Sequence, residues 1–304
     1  TLADVEREPL FQELIRPFEG AAIVRYKRLG NTRLSSAFYE SYASVTEHDA
    51  GVSEAVELKR QLIEAAGQMG RDDFERRVIH REGLTEDASA GQMDVLVLTV
   101  AAHTDTFHPS SLSAGATSAN VVGQISAEAP GVYSVSFFSP HLARGLYDID
   151  RERLRLWQDK RGLGRDGAGH LRHVLGVLEL ANMKQGAFWR ILERLLALNH
   201  RYFETQDPSV MAPVSLRKLA AQLDFAPSTV SRVVSGKSVF LPWGREVLIA
   251  DLMPGQRRVV LSILEKVLPH MPSATDMMIS RWLKDHHGVA VSRRTITACR
   301  HVIE

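Results

Sequence analysis

The stretch Ser215-Leu-Arg-Lys-Leu-Ala-Ala-Gln-Leu-Asp-Phe-Ala-Pro-Ser-Thr-Val-Ser-Arg-Val-Val234 leaves few folds open. Leu216, Leu219, Ala220 and Leu223 recur at helical spacing behind Ser215, so a helix starts there and buries that side. The three residues Asp224, Phe225 and Ala226 leave room only for a tight turn. Pro227 then opens a second helix at the position where a missing N–H costs nothing. Val230, Val233 and Val234 face back toward the first helix, and the pattern is that of a helix-turn-helix. Ser228, Thr229, Ser231 and Arg232 are left outward on the early part of the second helix, where such motifs reach base edges or phosphates in a major groove. A plain helical hairpin with a solvated polar face is the competing reading. Small hydroxyl residues around a single arginine suit close approach to a groove better than they suit solvation alone.

A second constellation lies in Val291-Ser-Arg-Arg-Thr-Ile-Thr-Ala-Cys-Arg-His-Val-Ile303. Ser292 is placed to cap a helix whose buried side is Ile296, Cys299 and Ile303. Its exposed side is then expected to present Arg293, Thr297 and Arg300, with Arg294 and Thr295 beside them. Two arginines in a first turn oppose the helix dipole, so a structural account leaves them unexplained, whereas a guanine edge or a phosphate supplies the missing negative partner. The charge distribution agrees. From Pro213 to Glu304 there are 13 Lys+Arg and 7 Asp+Glu, a balance of +6 inside a chain whose total is +1, which leaves −5 for everything before Pro213. A modestly basic C-terminal part on an acidic body fits a polyanion-binding module.

Elsewhere the helical period dominates. Helices are expected over residues 9–18, 53–69 and 71–81, the last closed by Gly83, and again over 171–183 and 187–203. The compact β-branched run 94–100 reads as a strand, with the alternating run 132–138 as its partner. Residues 103–131, rich in Ser, Ala, Gly and Pro, read as a long mobile loop between them. Pro208, Pro213, Pro242, Gly244, Pro254 and Gly255 place breaks near 212 and 255. The fold class is therefore mainly α, multi-domain, with a small β-hairpin insertion. Four regions follow: 1–139, 140–212, 213–254 and 255–304.

Other chemistry finds little support. Gly162-Leu-Gly164-Arg-Asp-Gly167 spells a dinucleotide fingerprint but follows a charged helix, not a strand, so the geometry that would aim amides at a pyrophosphate is missing. The histidine pairs His103/His108, His170/His173 and His286/His287 lack a carboxylate or cysteine at ligand spacing. The last pair, just before Gly288, fits a helix C-terminus. No nucleophile elbow or P-loop occurs, so no catalytic, metal or cofactor-binding residues are assigned and no cofactor is expected. One cysteine excludes an internal disulfide framework. No apolar run approaches the length that spans a membrane, and the first ten residues lack a signal pattern, so a cytoplasmic protein without membrane partners is expected.

Ser292-Arg-Arg-Thr-Ile-Thr-Ala-Cys-Arg-His301 resembles the RpoN box, A-R-R-T-V-A-K-Y-R-E, of the sigma-54 (RpoN) family of bacterial RNA polymerase sigma factors. Pro213-Val-Ser-Leu-Arg-Lys-Leu-Ala220 and Ser228-Thr-Val-Ser-Arg-Val233 are similar to that family's P-L-x-L-x-D-I-A and E-S-T-V-S-R-V. Lys237, Pro242 and Gly244 are similar to its K-Y-x-x-T-P-x-G. Order and spacing agree over about 120 residues, from the helix that ends at Tyr202-Phe203 to the end, as counted on the sequence. The box differs in Ala298 and Cys299, where Lys and Tyr are usual, and the helix-turn-helix has Pro227 where Glu is usual. The family's Gln- and Leu-rich leader is not visible before Pro9, and the sequence starts without Met, so a piece lacking that activator-responsive region is expected.

The resemblance implies a transcription initiation factor that performs no chemistry. Its body, including residues 1–139, would hold core RNA polymerase. The helix-turn-helix would lie on promoter double-stranded DNA, and the box would read a GG element through Arg293 and Arg294, with an AAA+ activator as a further partner. The DNA-facing set is then Ser228, Thr229, Ser231, Arg232, Lys237, Ser292, Arg293, Arg294, Thr295, Thr297 and Arg300. Two other functions compete: a DNA-binding regulator with an N-terminal ligand-sensing or dimerisation domain, and an enzyme whose site lies within 103–131. The second lacks any recognisable nucleophile, base and orienter.

Overall fold

The computed structural model describes residues 23–30, 32–44, 67–83, 120–161 and 165–303, together with Glu64, Val97, Val100, Ala101 and Thr104. They form two compact units, one holding the described residues up to Ser126 together with Ser134–Trp189, the other Ala127–Tyr133 and those from Arg190 onward.

In the first unit, β1 (Val24–Lys27) pairs antiparallel with β5 (Leu146–Ile149), Val24 opposite Ile149 and Lys27 opposite Leu146. β2 (Arg33–Leu34) runs parallel to β4 (Val132–Phe137), whose other neighbour is β3 (Asn120–Ala129), while β6 (Lys237–Phe240) and β7 (Glu246–Leu248) belong to the second unit. The helices of this unit are α1 (Ser36–Ser44), α2 (Arg71–Asp73, running on as a π-helical turn Phe74–Ile79), α3 (Pro140–Arg144) and α4 (Arg151–Arg161). α5 (Arg165–Leu198) is a single helix of 34 residues.

Apolar residues of α4 and α5 close the β1–β5 ribbon into one core of Ile23, Val24, Tyr147, Leu154, Leu171, Val174, Leu178 and Ala181. Asp150 starts α4 by accepting the N–H groups of Glu152 and Arg153 at 3.1 and 3.0 Å. The Asn182 amide, on α5, takes both backbone groups of Tyr147 at 2.7 Å, so the backbone of β5 finds partners on the helix side as well.

Two expectations are corrected here. Val97, Val100, Ala101 and Thr104 are helical and fully or almost fully buried, and the Thr104 hydroxyl donates to the Val100 carbonyl four residues back at 2.8 Å, so 94–100 is not the strand that partners 132–138. A short apolar run buried on all sides looks alike as helix or strand, and β-branching tipped the reading the wrong way. The partner of β4 is β3, which occupies the second half of the expected 103–131 loop; Pro130 and Gly131 make the turn between them. The helix expected over 171–183 and the expected 187–203 as far as Leu198 merge as α5, because Gly186 alone costs a helix only about 1 kcal/mol against the packing on either side. Residues 9–18, most of 53–69, His103, His108 and 162–164 lie outside the described residues.

In the second unit α6 (His200–Thr205) buries Tyr202 and Phe203. The break between α5 and α6 is Asn199, wholly buried, whose amide donates to Leu195 and to Leu252 at 3.2 and 2.9 Å. α7 (Leu216–Gln222) and α8 (Pro227–Val234) follow, then β6 and β7, then three helices: α9 (Gln256–Val267), α10 (Asp276–His287) and α11 (Arg293–Ile303). The last three share a core of Val259, Val260, Ile263, Leu264, Ile279, Leu283, Ile296 and the buried Cys299. The sequence breaks at Pro213 and Pro254 lie inside this unit. The Val214 N–H donates to Pro254 at 3.2 Å, and Lys266 on α9 pairs with Asp207 at 2.5 Å.

Candidate nucleic-acid interface

The first candidate surface is built on α7 and α8. Ser215 caps α7 by accepting the Lys218 N–H at 3.2 Å, and Leu219 and Ala220 are fully buried. The turn closes with the Phe225 N–H donating to Ala220 at 2.9 Å and Asp224 in the left-handed region, at φ 56. Asp and Asn tolerate that region better than other side chains. Arg190 steadies the same turn, donating to the Leu223 carbonyl at 2.7 Å with its guanidinium over the Phe225 ring at 4.5 Å, while Arg194 donates to the Gln222 side chain at 3.2 Å. Pro227 takes the first helical position of α8, and Val230 and Val234 are buried against α7. Ser228, Ser231 and Arg232 are exposed, as the spacing requires, whereas Thr229, expected outward with them, is half-buried. Arg232 has no ion-pair partner among the described residues.

Lys237 is placed differently from the expectation. Its ammonium donates to the Val233 carbonyl at 2.6 Å, a cation at the C-terminus of α8, where the dipole favours it. It serves the helix that carries Ser228 to Arg232. It also opens a feature the sequence reading passed over, the β6–β7 hairpin, with Phe240 opposite Glu246 and the Ser238 hydroxyl donating to Glu246 at 2.6 Å. The exposed tip carries Arg245, and Trp243 meets the Tyr202 ring edge-on at 5.5 Å. The signal was present: Gly236, a run of Ser-Val-Phe-Leu, then Pro242 and Gly244 read together as strand and turn, although they suggested only a break.

The second candidate surface is α11 with α10. Thr275 caps α10 by accepting the Met278 N–H at 3.3 Å, and Gly288 ends it at φ 65, with the Gly288 and Val289 N–H groups donating to Lys284 and Leu283. Those bonds are the left-handed helix stop that follows His286 and His287. Ser292 caps α11 as expected, accepting the Thr295 N–H at 3.3 Å, with the two hydroxyls 2.9 Å apart. Arg293 and Arg294 are exposed in the first turn, and their guanidinium groups have no hydrogen-bond or carboxylate partner among the described residues.

Thr297 and Arg300 do not join them on the exposed side. The Thr297 hydroxyl donates to Asp276 at 2.6 Å. Arg300 lies 3.3 Å from the same carboxylate and donates to the Ala274 carbonyl at 2.5 Å, with only 23% of its side chain exposed. Both hold α11 to the start of α10. The spacing i, i+4, i+7 correctly put Arg293, Thr297 and Arg300 on one side of the helix; a carboxylate on the neighbouring helix decided what that side meets. The face opposite Ile296 and Cys299 carries Arg294, Ala298 and His301, all exposed, and His301 was not among the expected residues.

The second unit also has a cleft of about 100 Å³ whose polar lining is Tyr202, Arg245, Asp251, Arg258 and Ser262. Burial pushes the Tyr202 phenol up, and the two arginines oppose that shift. Arg258 is paired with Asp251 at 2.6 Å. Among the described residues no group of three or more His, Cys, Asp or Glu side chains could hold a metal, and no helix is long and apolar enough to cross a membrane.

Residues 171–250 match the family model of the sigma-54 DNA-binding domain, a span that takes in α7, α8 and the β6–β7 hairpin and stops before Ser292. Among solved structures, the chain is similar to Aquifex aeolicus sigmaN bound to promoter DNA, at 16% identity and a TM-score of 0.41, over 97% of this chain and 93% of that one. A search of curated proteins finds no match.

Proposed function

We propose that the chain is a sigma-54-like transcription initiation factor, a reading supported by the sigma-54 DNA-binding domain model that matches residues 171–250, and that it recognises promoter DNA with two modules and binds core RNA polymerase through its N-terminal body. One observation carries the reading: the second unit contains two helix pairs joined by short turns, and the second helix of each exposes arginines with no ion-pair partner among the described residues, Arg232 in the last turn of α8 and Arg293 with Arg294 in the first turn of α11. A solvated face would have no reason to keep two cations against the positive end of the α11 dipole.

The roles divide by chemistry. Ser228, Thr229, Ser231 and Arg232 position the protein on phosphates and on the groove wall, because one arginine among short hydroxyl side chains carries little base information. Arg293 and Arg294 each offer a guanidinium fork that fits O6 and N7 of guanine, with Ser292 and Thr295 committed to the helix start. Thr297, Arg300 and Lys237 act from behind, holding the two DNA-facing helices in place.

The acidic balance before Pro213 and its apolar helices suit protein contact over DNA contact, which favours core polymerase as the partner of that part. An AAA+ activator enters only through family likeness. The test is copurification of the chain with core RNA polymerase, with and without promoter DNA. Retention on core without DNA, and a tighter ternary complex with DNA, is the expected result. DNA binding with no affinity for core would leave a DNA-binding regulator in its place.

A further inference from the structure

We propose that Ala298 makes α11 a reader of a thymine 5-methyl group beside the bases taken by Arg293 and Arg294, an inference that rests on the DNA-reading role of this helix. Ile296 and Cys299 are buried in the core, Ile303 is half-buried, and Thr297 and Arg300 are held by Asp276 and Ala274. The side chains left outward are Arg293, Arg294, Ala298, His301 and Val302. At 3.6 residues per turn, Arg294 and His301 lie on the side opposite the buried Ile296 and Cys299, with Ala298 beside them on the flank. Val302 flanks them, one turn beyond Ala298 and 62% exposed. The outward face is therefore cationic at its start, apolar in its middle and an imidazole beyond.

That arrangement is specific about its ligand. Ala298 and Val302 can neither donate to a phosphate nor read a polar base edge, and the one apolar group that a base pair presents in the major groove is the thymine methyl. The arginines draw the helix onto the polyanion, and the short Ala298 side chain lets the backbone come close. A lysine at this position, as in the family's box, would instead place a long hydrated cation there. Four residues separate Arg294 from Ala298, about 6 Å along the axis, or roughly two base-pair steps. The thymine should therefore lie within about two base pairs of the guanine that Arg294 reads.

The experiment uses the full chain and changes the DNA first. In a duplex carrying the GG element, each thymine within three base pairs is replaced in turn by deoxyuridine, which keeps the pairing and removes only the methyl. One position should lose about fourfold in affinity, the size of one buried methyl group. In Ala298→Gly that loss should vanish while discrimination between GG and mutated GG persists, with circular dichroism checking that the helix survives. Deoxyuridine without effect at every position, with GG discrimination intact, overturns the assignment to Ala298 and leaves the reading role of the arginines standing. A deoxyuridine effect that persists in Ala298→Gly moves the methyl contact to another residue and also overturns it. Absence of GG discrimination in the unaltered chain overturns the base-reading role of α11, and the inference with it.

Discussion

Helix α8 starts from Ala226, which offers its first turn no side-chain acceptor, whereas α11 starts from Ser292, whose hydroxyl takes the Thr295 N–H. The two also differ in what holds them down. α8 is fixed at its ends, by the braced turn around Phe225 before it and the Lys237 ammonium behind it. α11 is fixed along its flank, where Asp276 takes both Thr297 and Arg300. After these structural needs are met, α8 keeps one free arginine and α11 keeps two, side by side. Similar backbones thus leave different chemistry available, which is why α8 is assigned to positioning and α11 to reading.

The contrast breaks most directly at the arginines. Replacing Arg293 or Arg294 by Ala should remove about 1–3 kcal/mol of preference for GG over a mutated element, while helix content and binding to core polymerase stay unchanged. Lys should restore little of it, since a point charge lacks the bidentate fork. Competition binding on the two duplexes decides, and unchanged discrimination in both variants would make α11 a second positioning helix. Asp276→Ala comes next, at about 1–2 kcal/mol of stability read from thermal or denaturant unfolding, because it strands a largely buried guanidinium. An unchanged midpoint would mean that α11 is held by its apolar face alone.

Ser292→Ala should cost about 1 kcal/mol through the lost cap, and Ser215→Ala a similar amount at α7. Arg232→Ala should weaken binding to all sequences alike and flatten the salt dependence by about one unit. Loss of discrimination at a single base pair would turn α8 into a reader and erase the contrast. The smallest effect is expected at Asp207. Partial burial pushes its carboxyl up, but bonds from Lys266 and Ser209 outweigh this and hold it below the ordinary value. A carboxyl lowered on folding stabilises the protein above its unfolded pKa, and that contribution fades as pH falls through the lowered value. Asp207→Asn should therefore have a flatter dependence of Tm on pH below about pH 4 than the parent chain.

The helix-turn-helix was legible because every local signal agreed: apolar spacing, a serine cap, a three-residue turn and Pro227 at a first helical position. The α11 helix was legible for the same reason. What escaped depended on partners far along the chain. Nothing near Arg300 announces that Asp276, 24 residues earlier, will claim it, and Lys237 reads as a free cation until Val233 is seen beside it. The run at 94–100 failed for another reason, since a short apolar run such as the one holding the buried Val97 and Val100 fits helix and strand alike. The β6–β7 hairpin was spelled out by Gly236, Pro242 and Gly244 and was read only as punctuation.

Cys299 is the sole cysteine of the sequence and lies fully buried on the inner side of α11. A thiol reagent added to the native protein can reach it only when α11 lifts from α9 and α10. The labelling rate is then a clock for the opening of that one module, with no other thiol to confuse it. Run with GG and mutated-GG duplexes, the same clock would show how much of the binding energy goes into holding α11 shut.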